Sequence, residues 1–572
     1  MRYKEGKIRL FICRFLKEAF CILSCYTLCI SLSAQSANSW IKFNQEYCKI
    51  STAKDGIYRV SYSDLQTVGF SVTGDPRNIQ IFYQGIEQPI IVSGEADGLF
   101  NTTDFIEFFG RKNDGKLDTK LYDNPSSQPH TYYNLYNDTT SYFLTMGATS
   151  GKRMPLYSDS QTLPPETFHW DEKLLILSSQ YSPGVDYGYI QLSAFNAGEG
   201  WMGNQILQTQ TGTYTITGIK NTEASSGKPQ LEILLTGRGP MTHVVDISSG
   251  SRVLSNITFS GFESYKQLQT LEWSDIQSNG ELVINVKVLG SGGPDRVSVN
   301  YIKVRYPQKL DMENANEKVF VINKNPAGIS YAEIQGAPSG TRLFDITDPA
   351  GIYQVATTGT TSLNARIPTA ASERIILATN TFVTPNLKRT GFRDLSNTTA
   401  NFVIITHPSL RKPAVGYIDP VKAYGEYRAS AQGGSYDTLI VNIQQLYDQF
   451  NYGEQSPLAM KEFVKYLAVK KLPEYLLLMG KGLGVNYGYY RNPAAFTVYK
   501  DLVPTAGYPG SDVLFTAGID GTTYHPAVAT GRLSVSKPEE VSFYLNKVKE
   551  TEARSFDDLR RKKILHLSGD SA

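Results

Sequence analysis

From residue 401 onward, five short and nearly continuous apolar runs constrain the fold more than any other feature of the sequence. Helical periodicity separates several of these runs, for instance at 457–470, where Ser456 is placed to cap a helix and Pro457 occupies its first turn. Short apolar runs that alternate with helices are typical of strands buried on both faces of a parallel sheet. The sequence therefore predicts a parallel α/β domain over residues 398–572. The five runs are NFVIIT (401–406), TLIVNI (438–443), EYLLLMG (474–480), AVATGR (527–532) and KILHLSG (563–569).

The residues before this region show a different, β-rich pattern. Short alternating segments separated by turn residues predict three all-β modules, at 38–150, 160–310 and 315–380. Alternation is clearest at 284–288, and the length of the second module is typical of a β-sandwich of the jelly-roll kind. Residues 380–398 are polar and irregular, which predicts a linker. The expected architecture is multidomain, with three β modules followed by an incomplete α/β domain.

The first 34 residues have the composition of a secretory signal peptide. A basic segment (1–17) precedes an apolar stretch (19–30), and Ala34 is a small residue suited to cleavage. A lipobox at 22–25 is the weaker alternative. The apolar stretch is shorter than the roughly 20 residues that span a bilayer, and no later stretch is long enough. We therefore expect an exported protein of the periplasm, outer-membrane surface or extracellular space, without a transmembrane segment after signal removal.

Charge and cysteine content exclude several classes of function. The formal net charge is +2 over 572 residues, with acidic and basic side chains intermixed, so the sequence predicts no nucleic-acid partner. Four of the five cysteines lie in the leader, which leaves only Cys48 in the mature chain. A single cysteine forms neither an intramolecular disulfide nor a usual zinc site. Cys48 lies in an alternating segment, and we interpret it as a half-buried strand residue rather than a nucleophile.

Functional groups of a parallel sheet collect at the carboxyl ends of its strands. Here those ends carry His407, Gly480, Arg532 and His566. The segment GKGLG (480–484) does not match a phosphate-binding loop, because it lacks the required glycine spacing and the Lys-Ser/Thr pair. We interpret His407 as a solvated loop residue and His566 as a strand residue with a local hydrogen bond.

Two aspartates in the loops raise the question of a metal ion. Asp512, Asp520 and the neighbouring carbonyls are oxygen ligands of the type that Ca²⁺ prefers. The same residues are equally typical of Asx turns, and we favour that interpretation. No other cofactor is indicated, and no metal ligand is assigned.

Five segments in a fixed order resemble the gingipain-type cysteine peptidases, specifically the type IX secretion system sortase group of Bacteroidota. They are ANFVIITHPSL (400–410), VNIQQLYDQFNYGEQSPLAMKEFVKYL (441–467), PEYLLLMGKG (473–482), VPTAGYPGSDVLF (503–515) and PAVATGRLSV (526–535). Amino-terminal segments are similar to the module that precedes the peptidase domain in such proteins, namely GIYRVSYSDLQTVGF (56–70), IQIFYQGIEQPI (79–90) and DGLFNTTDFIEFFG (97–110). The resemblance implies a caspase-like or gingipain-like α/β fold.

The resemblance also implies a cysteine nucleophile and a histidine base, acting on secreted polypeptides by proteolysis or transpeptidation. In the family this pair follows the Gly-Arg strand and the strand after it, so we expect it beyond residue 572 and expect the chain as written to be inactive. Polypeptide substrates or secretion-system components are the expected partners. The family-motif positions of this chain are Gly480, Ser511, Asp512, Gly531 and Arg532.

Two positions depart from the family pattern. Lys481 stands where Gly-Asp is usual, and Ala527 stands where an acidic residue often precedes Gly-Arg. These departures keep an alternative open, a non-enzymatic cell-surface or carbohydrate-binding β-sandwich protein with a degenerate peptidase domain.

Overall fold

The structure is a computed structural model. It describes residues 38–555 except 188–189, 192, 291–293, 360–361, 484–490 and 492–500, together with 557–559 and 563. The predicted signal peptide therefore lies outside the described residues, as do His566 and all but the first residue of the predicted strand at 563–569. Among the residues described, no helix is long and apolar enough to cross a membrane.

The amino-terminal region is a β-sandwich of two antiparallel sheets, with β1, β7, β3 and β4 adjacent in one sheet and β2, β6 and β5 in the other. Cys48, Ile50, Val60 and Phe108 are buried between the sheets. Ser61 caps the short helix α1 by accepting a hydrogen bond from the Asp64 amide. The elements are β1 (Tyr47–Thr52), β2 (Gly56–Ser61), α1 (Tyr62–Thr67), β3 (Ile79–Tyr83), β4 (Ile86–Glu87), β5 (Ile91–Ser93), β6 (Phe105–Gly110) and β7 (Thr140–Met146).

The middle of the chain is also all β. Its strands are β8 (Leu156–Tyr157), β9 (His169–Ile176), β10 (Gln180–Pro183), β11 (Asp186–Tyr187), β12 (Ile190–Gln191), β13 (Glu199–Met202), β14 (Ile206–Leu207), β15 (Thr211–Ile216), β16 (Gln230–Gly237), β17 (Thr242–Ser249), β18 (Arg252–Ser260), β19 (Ser264–Thr270), β20 (Leu282–Val288), β21 (Arg296–Gln308), β22 (Glu317–Ile322), β23 (Ile329–Gln335), β24 (Arg342–Asp345), β25 (Tyr353–Val355), β26 (Thr357–Thr358), β27 (Ser362–Pro368) and β28 (Arg374–Thr379).

One long sheet runs through this middle region in the order β19-β16-β21-β9-β22-β28-β24-β25-β8, with β14 beside β21. The sheet β15-β20-β17-β18 packs on one part of it, and the sheet β23-β27-β26 packs on another part. Alternation at 284–288 is confirmed, because Ile284, Val286 and Val288 are fully buried and Lys287 is exposed. The regions predicted as the second and third modules thus share a sheet through the pairing of β9 with β22.

The predicted linker contains a strand. Residues 386–390 form β29 (Asn386–Thr390), which pairs antiparallel with β1 at the edge of the amino-terminal sandwich. A linker over all of 380–398 was therefore wrong. An edge strand exposes one side and needs few apolar residues, and here only Leu387 packs against the sandwich core.

The carboxyl-terminal region is a doubly wound α/β domain. Its elements are β30 (Phe402–Thr406), α2 (Pro420–Ala429), β31 (Thr438–Asn442), α3 (Ile443–Phe450), α4 (Leu458–Ala468), β32 (Tyr475–Met479), β33 (Ala529–Leu533) and α5 (Pro538–Glu552). Among the residues that the structure describes, the domain has four strands, all parallel, in the order β31-β30-β32-β33. Helices α3 and α4 cover one face, and α2 and α5 cover the other. The predicted fold class, β modules followed by a parallel α/β sheet, is confirmed.

The strand order locates a crevice. The chain leaves β30 for β31 on one side and returns to β32 on the other, so β30 and β32 are neighbours whose connections diverge. In open α/β sheets, ligands bind outside the carboxyl ends of strands at such a switch point. His407 follows β30 and Gly480 follows β32, so both lie at this place.

Candidate functional site

A cavity of about 410 Å³ lies at the switch point, between the carboxyl ends of the parallel strands and the amino-terminal sandwich. Its size falls in the range of roughly 300–1,000 Å³ usual for ligand sites. The α/β side contributes His407, Ile443, Gln444, Tyr447, Gly453, Gln455, Asp501 and Leu502, and the sandwich side contributes Lys49, Ser51, Asn137, Thr139 and Ser141. Most of these side chains are neutral hydrogen-bonding groups.

His407 is half-buried and lines this cavity, so the prediction of a solvated loop histidine needs correction. Its Nδ1 accepts a hydrogen bond from the Ser409 amide at 3.2 Å and caps the short turn that follows β30. A ring nitrogen that accepts leaves the proton on Nε2 of the neutral imidazole. Burial lowers the pKa of His407, which favours that neutral form.

Two of the other family-motif positions, Asp512 and Gly480, contact Arg532. Its guanidinium binds the Asp512 carboxylate through two hydrogen bonds, Nε to Oδ2 at 2.7 Å and Nη2 to Oδ1 at 2.6 Å. Nη1 also donates to the Gly480 carbonyl at 2.7 Å. Further bonds reach the carbonyls of Val503 and Pro504, at 2.7 and 3.0 Å. Arg532 therefore ties the loop at 503–512 to the carboxyl end of β32.

The surrounding structure explains the residue type at Gly480 but not at Gly531, and Ser511 makes local hydrogen bonds. Gly480 has a backbone φ of +150°, and a Cβ there would lie 2.9 Å from Val503 Cγ2. Gly531 lies in β33 with no heavy atom within 4 Å of its missing Cβ, so sterics do not explain a glycine there. Ser511 accepts a hydrogen bond from the Val513 amide at 3.2 Å and pairs its backbone with Ala506.

The two positions that depart from the family pattern carry no acid. The Lys481 side chain is exposed, while its backbone binds Val535 and Leu502. Ala527 is half-buried and donates its amide to Thr516.

Cys48 is fully buried in β1 and does not line the cavity, although its neighbour Lys49 does. Side chains alternate along a strand, so Cys48 points into the sandwich core. Burial raises the pKa of the Cys48 thiol to about 11, which keeps it protonated at neutral pH. The strand interpretation is correct, and the residue is more buried than the sequence suggested.

The calcium hypothesis gains no support at Asp512 or Asp520. Both carboxylate oxygens of Asp512 accept from Arg532. Asp520 accepts from the amide and hydroxyl of Thr522, at 3.2 and 2.7 Å, as in an Asx turn. Within the described part of the chain, no group of three or more His, Cys, Asp or Glu side chains is arranged to hold a metal ion.

Sequence reasoning missed the residues that join the amino-terminal sandwich to the α/β domain. The Lys49 ammonium lies 2.5 Å from Asp448 Oδ1 and donates to the Gly453 carbonyl at 2.9 Å. The buried Glu454 carboxylate accepts from Thr140 Oγ1 at 2.7 Å and from Asn113 Nδ2 at 2.9 Å. These partners lie more than 300 residues apart, and no local sequence pattern predicts their contact.

Residues 395–572 match the family model described as peptidase family C25. The predicted family resemblance is confirmed. A crystal structure of dimeric latent PorU from Porphyromonas gingivalis matches 88% of this chain at 16% sequence identity, with a TM-score of 0.59. The match covers 49% of PorU, so this chain spans about half the length of that protein.

Other solved structures match smaller parts. The CBM36-1 domain of a multidomain xylanase from the hindgut metagenome of Trinervitermes trinervoides is 13% identical and covers 23% of this chain and 96% of its own, with a TM-score of 0.16. A carbohydrate-binding module CBM36 in complex with calcium and xylotriose covers 24% of this chain and 98% of its own, at 13% identity and a TM-score of 0.14. A search of curated proteins gave no match.

Proposed function

We propose that this chain is the amino-terminal part of an exported, gingipain-type cysteine endopeptidase of the type IX secretion sortase group. Its substrates are secreted polypeptides, which it cleaves or transfers. One coincidence carries the proposal, namely that the region matching peptidase family C25 holds a polar cavity at the sheet edge where α/β enzymes bind ligands. The fold shared with PorU supports the same placement of modules.

The chemistry needs a thiolate that attacks a peptide carbonyl and an imidazole that protonates the leaving amine. Cys48 does not suit this role, because it is buried away from the cavity and its pKa is raised. No cysteine follows Cys48 in the sequence. We assign the nucleophile and its histidine to sequence outside these 572 residues. The described residues shape the cavity and fix the loops around it.

A thiol-directed peptide probe tests this assignment. The gene product with any in-frame sequence after codon 572 is treated with a peptidyl acyloxymethyl ketone, and the labelled residue is located by mass spectrometry. We expect label on a cysteine outside residues 1–572, with no peptide turnover by the chain that ends there. Label on Cys48, turnover that Cys48→Ala abolishes, or the absence of any labelled cysteine would refute the proposal.

Export is the second part of the proposal and rests on the leader. The basic and apolar segments at 1–17 and 19–30 support removal of a signal peptide after Ala34. Intact-mass analysis of protein recovered from the periplasm or culture medium is expected to give a chain that begins at Gln35. A full-length chain retained in the cytoplasm would contradict export.

One observation favours the alternative of carbohydrate binding. A second cavity, of about 420 Å³, opens on the outer face of the long sheet, lined by Gln230, Glu232, Leu268, Lys303 and Arg305 among others. Arg305 also stacks on the Trp170 ring, 4.9 Å from its centroid. A glycan array probed with the whole chain tests this function. Binding that Glu232→Gln and Arg305→Ala weaken would support it, and no bound glycan would remove it.

A further inference from the structure

We propose that the amino-terminal sandwich forms one wall of the polypeptide-binding site, with Thr139 facing the main chain of an extended substrate segment. The inference rests on the proposed function and deepens it, because it assigns substrate contacts to a module outside the peptidase-like region. The supporting observation is that side chains of both the sandwich and the α/β domain line the cavity. Thr139 and Ser141 lie on the sandwich side, and His407, Gln444 and Tyr447 lie on the α/β side.

The chemistry of the lining selects a neutral ligand rich in amides. Its two charged side chains are already engaged, because Lys49 binds Asp448 and the Gly453 carbonyl and Asp501 Oδ1 accepts from the Leu483 amide at 3.3 Å. Serine, threonine, asparagine and glutamine side chains make up most of the rest. Hydroxyls and carboxamides donate and accept hydrogen bonds as peptide groups do. A stretch of main chain with small or polar side chains matches this lining.

One lining residue, Gln444, carries an enclosed acceptor that lacks a donor within the described part of the chain. Gln444 Oε1 is enclosed and has no hydrogen-bond partner among the described residues. An enclosed acceptor without a donor is unfavourable, and the N–H of a bound peptide group supplies one.

Contacts between the two domains hold the walls of the cavity in a fixed relative position. Along the chain, residues that make these contacts alternate with residues that line the cavity. Thr140 binds Glu454 of the α/β domain, while its neighbours Thr139 and Ser141 line the cavity. Ser141 Oγ also lies 3.3 Å from the Gly453 carbonyl. Lys49, beside the buried Cys48, makes a second contact between the domains, an ion pair with Asp448. The sandwich wall is therefore fixed where a substrate would meet it.

Peptide binding by the whole chain tests the proposal. The probe is a fluorescein-labelled octapeptide of alternating serine and alanine, acetylated and amidated at its ends, and binding is followed by fluorescence anisotropy. Thr139 is exposed, so Thr139→Trp narrows the cavity without disturbing the core. Thr102→Trp is the matched control, since Thr102 is an exposed threonine of the same sandwich outside the cavity lining.

We expect Thr139→Trp and Gln444→Ala each to raise the Kd for the octapeptide at least tenfold, with Thr102→Trp within twofold of the parent chain. Equal affinity in the parent and Thr139→Trp chains, or no binding by the parent, would overturn the inference. Displacement of the octapeptide by neutral maltohexaose would also overturn it and assign the cavity to a sugar. Failure here is distinguishable from failure of the proposed function, which the thiol probe tests separately through the labelled cysteine.

Discussion

The two walls of the cavity are built from contacts of very different range along the chain. On the α/β wall, Arg532 reaches Asp512 across 20 residues and Gly480 across 52 residues. On the sandwich wall, Lys49 reaches Asp448 across 399 residues, and Thr140 reaches Glu454 across 314 residues. The first wall is organised by groups within one domain, whereas the second exists only after two domains dock. Substitutions on the α/β wall should therefore disturb structure within that domain, whereas substitutions on the sandwich wall should weaken the contacts between the two domains.

Arg532→Ala should have the largest effect. It removes a two-point ion pair and three bonds to carbonyls, and it leaves the half-buried Asp512 without a cation. Breaking a buried pair costs about 3–5 kcal/mol, and partial exposure reduces our expectation to about 2–3 kcal/mol. Urea unfolding measures the loss, and hydrogen exchange should locate it at 503–512. Arg532→Lys should recover little, because an ammonium cannot reproduce the guanidinium fork. Unchanged exchange at 503–512 would contradict this role.

Glu454 should make docking dependent on pH. Burial raises its pKa from 4.5 to about 7, with the nearby Asp114 carboxylate acting in the same direction. An acid with a raised folded-state pKa stabilises the fold fully below pH 4.5, and this contribution is lost as pH rises through about 7. Glu454→Gln mimics the protonated form. It should match the parent chain at pH 5 and exceed its unfolding free energy by about 2–3 kcal/mol at pH 8.

The measurement is denaturant unfolding of both chains from pH 5 to pH 8. Buried acids that do not interact with Glu454, such as Glu199, whose pKa burial raises, titrate in both chains and cancel in the difference. Asp118 does not cancel, because the Glu454 charge helps to raise its pKa. A difference that stays constant with pH would mean that Glu454 does not carry the dependence.

Lys49→Met should have a smaller effect, confined to the docking contacts. The ammonium joins Asp448 and the Gly453 carbonyl, and a charge-assisted bond of this type contributes about 1–2 kcal/mol. We expect faster hydrogen exchange at both 47–52 and 443–453, with the parallel strands unaffected. Lys54→Met is the control, because the Lys54 side chain is exposed in the same sandwich. Equal exchange in the two variants would argue against the contact.

Two glycines of the family motif provide the smallest and most local contrast. Gly480→Ala places a Cβ 2.9 Å from Val503 Cγ2 at a φ of +150°, and we expect a cost of about 1–3 kcal/mol. Gly531→Ala meets no atom within 4 Å and should change stability by less than about 0.5 kcal/mol. Thermal unfolding of both variants compares them directly. A larger loss at Gly531 would assign it a role that packing does not explain.

The difference between local and long-range contacts explains which parts of the fold and of the site could be predicted from the sequence. Strands such as 401–406 and 474–480 were predicted because burial on both faces requires continuous apolar residues. Strand β29 was missed because an edge strand with a single inward leucine has a linker's composition. An ordered motif singled out Gly480, Asp512 and Arg532, but the sequence did not indicate that they contact one another or that Arg532 binds three carbonyls.

The sandwich wall could not be predicted. Glu454 lies in a turn where a glutamate suggests solvent, and donors of the docked sandwich, Thr140, Asn113 and Gln84, make its burial tolerable. Lys49 and Thr139 belong to segments with the composition of an ordinary surface strand and turn. Their function depends on a partner surface several hundred residues away, which one sequence does not identify.

Hydrogen exchange of the whole chain, with and without the neutral octapeptide, tests most directly whether two modules make one site. If both modules form the site, saturating peptide slows exchange at 137–141 in the sandwich and at 443–447 in the α/β domain, by similar factors and at the same peptide concentration. Protection confined to 443–447 would contradict it, because the amino-terminal sandwich would then support the site without forming part of it.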